Sequence, residues 1–100
     1  MKYIVNTVWK HVHSIKWKDM QEAMDQLNKL GTPAEEVFWF EIDANTHGAV
    51  SVFPSEESYM KFKEKLDEMR KESSSDMNIS VSFEAHGLAR VTKIQCIGIA

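Results

Sequence analysis

The chain has 100 residues, 43% of them hydrophobic and 27% charged, and its formal net charge at pH 7 is −3. This length and apolar content are typical of one compact domain, residues 1–100, and exclude a disordered segment. The acidic balance also excludes a general nucleic-acid binder, because such proteins need a basic surface.

Signals for targeting and for redox chemistry are few. The N-terminal residues lack the long apolar stretch of a secretory signal, and no window approaches the roughly 18 apolar residues of a membrane span. The single cysteine, Cys96, excludes a disulfide within the chain and a zinc site built on paired cysteines. We therefore expect a cytoplasmic protein without a metal, a cofactor or a membrane partner.

The first half of the chain predicts a strand, a helix and a second strand. Residues 3–12 are rich in β-branched and aromatic side chains, which favour a strand. Ser14 can then cap a helix that ends at Gly31. The buried stripe of this helix recurs at steps of three and four residues, as Trp17, Met20, Met24 and Leu27. Residues 37–44 form the second predicted strand.

The second half predicts a turn, a strand, a helix and a last strand. Residues 45–48 are the turn, residues 49–53 the third strand, and Ser55 opens the second helix. Residues 73–75 read as a polar loop. Strict alternation from Met77 to Phe83, which Gly87 breaks, marks the fourth strand.

The resulting βαββαβ order predicts an α+β, ferredoxin-like fold with an antiparallel sheet. Residues 91–99 add an extra C-terminal strand. We expect both helices to cover the more apolar sheet face. That face carries Ile4, Val8, Val12, Phe38, Phe40, Ile42, Val50, Val52, Met77, Ile79, Val81 and Phe83. The opposite, open face then mixes aromatic and polar residues, which suits a partly wet pocket or a subunit interface.

Two segments carry a family resemblance, namely MKYIVNTVWK at the start and HGAVSVFPSEESYMKF in the middle. With them, residues 1–86 resemble the dimeric α+β barrel superfamily and, within it, a small bacterial family of uncharacterised proteins. The superfamily includes cofactor-free monooxygenases, haem-degrading enzymes, muconolactone isomerases and stress-responsive proteins. The resemblance implies a homodimer whose open sheet faces meet, with a pocket in each half and the C-terminal strand paired with the partner's sheet. It carries over no catalytic residue.

Candidate site residues lie on the predicted open face and at its ends. For acid–base chemistry they are Asp43, His47, Glu84 and His86, which we expect to rim one mouth of a pocket. For ligand binding they are Trp9, His11, Trp39, Glu41, Ser51 and Ser82. The alternatives are a turn role for His47, a surface role for His86 and a dimer-interface role for the two tryptophans.

Metal binding is not predicted, because the pairs His11–His13 and Glu84–His86 should lie on the order of 25 Å apart. The favoured function is a homodimeric small-molecule-binding or regulatory protein whose open-face pocket takes a small aromatic or apolar ligand. The alternative is a cofactor-independent, monooxygenase-like or isomerase-like enzyme that uses a His/carboxylate pair. An RNA-recognition module is disfavoured, because Ala49 and Ser51 stand where stacking rings are needed.

Overall fold

The structure is a computed structural model that describes residues 1–77 and 79–93. Its elements are β1 (Tyr3–His11), α1 (Trp17–Leu30), β2 (Glu36–Asp43), β3 (Thr46–Phe53), α2 (Glu56–Met77) and β4 (Ile79–Leu88). The four strands form one antiparallel sheet in the order β2-β3-β1-β4. This α+β architecture is consistent with the predicted ferredoxin-like fold. Most of the predicted extra strand, residues 94–99 with Cys96, lies outside the described residues.

Local sequence signals explain two of the four helix ends. Gly31 ends α1 at a φ of 83°, and its N–H donates to the Leu27 carbonyl. Ser55 opens α2 by accepting a hydrogen bond from the Ser58 N–H at 3.1 Å. The predicted cap Ser14 is wrong, since the N-cap is Lys16 and has no side-chain cap.

The second helix is longer than predicted. Helix α2 continues to Met77 through the serines of residues 73–75, where the sequence pattern predicts a loop. Serine costs only a few tenths of a kcal/mol in a helix, about 0.5 relative to alanine, so an established helix can propagate through a short run of it. Strand β4 therefore begins at Ile79 rather than at Met77.

The helices cover the sheet face opposite to the predicted one. In β1 the buried side chains are Tyr3, Val5, Thr7 and Trp9, with exposed fractions of 4%, 3%, 3% and 7%. Phe38 and Phe40, expected in the core, are 55% and 44% exposed. Both faces carry large apolar side chains, so strand alternation separates the faces but does not say which one the helices cover.

A bulge in β4 divides the row of apolar residues that alternation had placed on one face. The pairing of β1 with β4 shifts between Val8 and Trp9, where Ser82 is the extra residue. The Ser82 hydroxyl donates to the Val8 carbonyl at 3.2 Å. As a result Ile79 packs beneath the helices with Trp9, whereas Phe83 lies opposite Val8 on the sheet face that the helices leave uncovered.

Two clusters form the core between the sheet and the helices. One contains Tyr3, Val5, Phe53 and Tyr59, and the other contains Trp9, Ala49 and Ile79. Tyr59 is fully buried, and its ring stacks on that of Tyr3 with the centroids 5.2 Å apart. None of the helices in the described part of the chain is long and apolar enough to cross a membrane.

Candidate functional site

A cavity of about 240 Å³ lies between the helices and the sheet. Its floor is the middle of the two inner strands, where Thr7 on β1 pairs with Ala49 on β3 and Val5 pairs with Ser51. Thr7, Ala49 and Ser51 are small, so the helices cannot fill the space above them. The other lining residues that the argument uses are Trp9, Trp39, His47, Phe53, Leu66 and Arg70.

Aromatic rings form two walls of this cavity. Trp39 on β2 lies beside Ala49, and Trp9 on β1 lies beside His47. The Trp9 indole N–H donates to the Thr7 hydroxyl at 2.9 Å, which fixes the ring and satisfies a buried donor. The cavity therefore combines rigid aromatic walls with hydroxyl groups on its floor.

His47 is the buried titratable group of the site, with an exposed fraction of 4%. Its Nδ1 lies 2.7 Å from His11 Nε2, in a hydrogen bond between two imidazoles. Burial, with a smaller contribution from His11, lowers the pKa of His47 to about 4. Burial also lowers the pKa of His11. Both rings are therefore neutral at pH 7, one donating and the other accepting.

Arg70 on α2 brings the second titratable group to the cavity lining. Its Cζ lies 5.9 Å from the centroid of the Trp9 ring, in cation–π range. Its Nη1 donates to Glu84 Oε2 at 2.5 Å. Among the described residues that line the cavity, Arg70 and His47 alone are titratable, so the lining presents one paired cation and one neutral imidazole.

The predicted ligand residues are partly brought together. Trp9, Trp39 and Ser51 line the cavity, but on the helix-covered face rather than on the open face. His11 reaches the site through its bond to His47. Glu41 pairs with His47 in the sheet and is exposed. Ser82 is the extra residue of the bulge in β4, and its hydroxyl binds the Val8 carbonyl. The expected open-face position of Trp9, Trp39 and Ser51 is therefore wrong.

The four predicted acid–base residues do not rim one mouth. Strands β3 and β4 are both antiparallel to β1, so β3 starts at the sheet end where β4 also starts. His47 near the start of β3 pairs with Trp9, and His86 near the end of β4 pairs with Val5. Four strand residues, about 13 Å, separate the two positions.

Each of the other predicted acid–base residues has a local partner. Asp43 Oδ1 accepts the Asn45 N–H at 2.9 Å, and this bond is the main reason that the pKa of Asp43 is lowered. Glu84 binds Arg70, and His86 Nδ1 is hydrogen-bonded to the Tyr3 hydroxyl. These bonds stabilise a turn, a helix–sheet contact and the end of the sheet.

The two pairs that the sequence offers as possible metal ligands, His11–His13 and Glu84–His86, lie apart. His11 pairs with Ile79, several residues from Glu84 and His86 along β4, and His13 lies beyond the end of β1. Within residues 1–77 and 79–93 no group of three or more His, Cys, Asp or Glu side chains could hold a metal ion.

Sequence reasoning missed Arg70 and the small residue Ala49 as site residues. Arg70 follows Leu66 by four positions, so it continues the buried stripe of α2, and this spacing was the available signal. The Ala49 side chain is only a methyl group, and its small size leaves the space that forms the cavity. Comparisons with protein-family models, with curated proteins and with solved structures give no match for this chain.

Proposed function

We propose that the protein binds a small, uncharged aromatic or apolar molecule in the helix–sheet cavity. The observation that carries this proposal is the cavity itself, about 240 Å³ above Thr7, Ala49 and Ser51. Protein interiors are normally close-packed, and an apolar cavity of about 150 Å³ is already large enough to bind benzene. The volume here suits one ring or two fused rings.

The lining supports this ligand chemistry. Trp9 and Trp39 offer flat faces to a planar molecule, and the Ser51 hydroxyl and His47 imidazole offer one or two hydrogen bonds. An anion would compete with Glu84 for Arg70, and a cation would meet no carboxylate among the described lining residues. The uncharged ligand is therefore favoured over either ion.

Calorimetric titration with indole tests the proposal. Ala49→Leu extends a side chain into the cavity, and Ala44→Leu makes the same change in the exposed turn before β3. We expect indole to bind the parent protein and Ala44→Leu equally, and Ala49→Leu at least tenfold more weakly. Equal binding to all three folded proteins would contradict the cavity as the ligand site.

We further propose that the protein is a homodimer. The sheet face that the helices leave uncovered is defined here as the open face. It includes Ile4, Asn6, Val8, Phe38, Phe40, Val50, Val52, Phe83 and Ala85, and the exposed Glu36, which pairs with Val52, lies at its edge. Phe38, Phe40 and Phe83 on it are 55%, 44% and 51% exposed, which is unusual for a surface that faces water. Light scattering at micromolar concentration should give about twice 11.5 kDa, and a mass of one chain would contradict the dimer.

A catalytic alternative rests on the His11–His47 pair. His47 lies in the cavity lining as a neutral imidazole, and a neutral imidazole can accept a proton from a bound ligand. The reaction class would be removal of a proton next to a carbonyl. Deuterium exchange into 1-indanone from heavy water, followed by NMR, tests this alternative. His47→Gln should abolish any acceleration, and His13→Gln should leave it unchanged.

A further inference from the structure

The cavity is elongated along strand β3. Four alternate residues of this strand line it, namely His47, Ala49, Ser51 and Phe53. His47 and Phe53 are six residues apart, which corresponds to about 20 Å along a strand. One ring or two fused rings span less than half of that length. A ligand that contacts both ends of the cavity therefore carries more than a ring.

The two ends of the cavity differ in chemistry. The end near His47 has the aromatic walls of Trp9 and Trp39. The end near Phe53 is lined instead by apolar side chains that pack against the core cluster of Phe53, namely Ala34, Phe62 and Leu66. The first end suits a planar ring, and the second end suits an alkyl chain.

The two helices stand apart above the cavity. Among the described residues, no Cα atom of α1 lies within 8 Å of a Cα atom of α2 or of a strand. Helices that pack directly have axes about 8 to 10 Å apart, which brings facing Cα atoms within about 6 Å of each other. A cleft therefore separates α1 from α2 and leads down to the sheet.

Apolar side chains line this cleft from both helices. On α1 and α2 they are Met20, Ala23, Leu27, Leu30, Phe62, Leu66 and Met69. Met20 is buried, whereas Leu30 at the end of α1 is 68% exposed, so Leu30 lies at the mouth of the cleft. Without an occupant this apolar surface stays in contact with water, which is unfavourable. Hydrocarbon is the occupant that matches these walls.

We propose that the cavity takes an aromatic molecule with an alkyl chain, the ring lying between Trp9 and Trp39 and the alkyl chain lying between α1 and α2. This inference rests on the ligand-binding function proposed above, and it adds the class of ligand and its orientation. The alkyl chain covers Leu27 and Leu30 and needs no hydrogen-bond partner. The hydroxyl and imidazole groups at the other end remain for a polar atom on the ring.

Calorimetric titration with 4-n-alkylphenols, from the methyl to the hexyl compound, tests the class of ligand. Burial of one methylene contributes about 0.8 kcal/mol, which is about a fourfold gain in affinity. We expect the dissociation constant to fall about two- to fourfold with each added methylene until the alkyl chain reaches Leu30. Equal dissociation constants for the methyl and hexyl compounds would overturn the proposal.

A pair of variants tests the position of the alkyl chain. Leu30→Glu places a carboxylate at the mouth of the cleft, and Met60→Glu places one at an exposed position of α2 that does not line the cavity. We expect 4-hexylphenol to bind the parent protein and Met60→Glu equally, and Leu30→Glu about tenfold more weakly. Indole should bind all three equally, because the ring lies at the other end. Equal binding of 4-hexylphenol to all three proteins would overturn the proposal, since the alkyl chain would then lie elsewhere.

Indole separates the failure of this inference from the failure of the proposed function. If neither indole nor any alkylphenol binds the parent protein, both fall together. If indole binds and the length of the alkyl chain makes no difference, only this inference falls.

Nuclear Overhauser effects supply a second measurement that needs no variant. The terminal methyl group of bound 4-hexylphenol should give effects to the methyl groups of Leu27 and Leu30, and its ring protons should give effects to the Ala49 methyl. Effects from the terminal methyl group to Ala49 without effects to Leu27 would overturn the proposal, because the ligand would then lie in the reverse orientation.

Discussion

The imidazole of His47 lies parallel to the indole of Trp9, with an interplanar angle of 2° and the ring centroids 6.2 Å apart. His11 holds the imidazole from one side through a 2.7 Å hydrogen bond, and Thr7 holds the indole through its N–H. A hydrogen bond thus fixes each ring of this pair, so one end of the cavity is preorganised before any ligand enters.

The low pKa of His47 predicts that the protein loses stability as the pH falls. The unfolded state binds a proton at the ordinary pKa of about 6.5, whereas folded His47 does so only at about 4. The unfolded state therefore binds more protons between these values, and the free energy of unfolding should fall by up to about 3 kcal/mol from pH 7 to pH 4.

Urea unfolding at pH 7 and at pH 4.5 measures this loss. His47→Gln should remove most of the difference between the two pH values. His13→Gln, at an exposed position beyond β1, should keep it. A His47→Gln protein with the parent's full pH dependence would show that other groups cause the loss.

Truncation of Trp9 should be far more costly than truncation of Trp17. Trp9 is 7% exposed and packs against Ala49 and Ile79, so Trp9→Ala should cost about 3 to 5 kcal/mol of unfolding free energy. Trp17, at the start of α1, is only partly buried, and Trp17→Ala should cost clearly less. Chemical denaturation of both variants checks the order, and equal losses would contradict the burial of Trp9.

The Arg70–Glu84 pair should show a measurable coupling energy. The Arg70 and Glu84 side chains are 18% and 34% exposed, and their atoms approach to 2.5 Å. A double-mutant cycle with Arg70→Met and Glu84→Gln should give a coupling of about 0.5 to 1 kcal/mol. The matched control is Lys61 with Glu57, at 77% and 79% exposure, where the coupling should be near zero. Equal values for the two pairs would contradict the helix–sheet role of Arg70.

A side chain at Gly48 should destabilise the protein, in contrast to one at Gly87, because the partly exposed Phe40 ring must move to admit it. The Phe40 ring lies over Gly48, its partner in the sheet, so a Cβ added there would overlap the ring. Gly48→Ala should therefore cost about 1 to 3 kcal/mol, the usual penalty of overpacking. Gly87→Ala, with nothing within 4 Å of its added Cβ, should be nearly neutral. Thermal unfolding of both variants measures the contrast.

The sequence was sufficient to predict the order of the elements, since strand and helix periodicities are local properties. It was not sufficient to predict the covered face, because Phe38 and Trp39 are both large aromatic residues and point to opposite sides of the sheet. The bulge at Ser82 is invisible in strict alternation, yet it sends Phe83 to the open face.

The candidate site was predictable only in part, because the sequence identifies side chains by their chemistry but not the spaces and long-range contacts between them. Trp9 and Trp39 were identified as a pair of ring walls from their aromatic chemistry. The cavity between them exists because the side chain of Ala49 is small. No sequence motif identifies a residue that acts only through its small size. His47 was interpreted as a turn residue because Asn45 and Gly48 favour a turn there, but the turn is shorter and His47 belongs to β3. Its partner His11 comes from a strand 36 residues earlier.

The measurement that tests the central claim most directly is an NMR experiment on methyl-labelled protein with bound indole. Ala49 and Val50 are neighbours in the chain, but the Ala49 methyl lines the cavity and the Val50 methyls lie on the open face. The proposed function predicts nuclear Overhauser effects from indole to Ala49 and to the Thr7 methyl, and none to Val50. Effects to Val50 without effects to Ala49 would contradict it and would place the ligand on the open face instead.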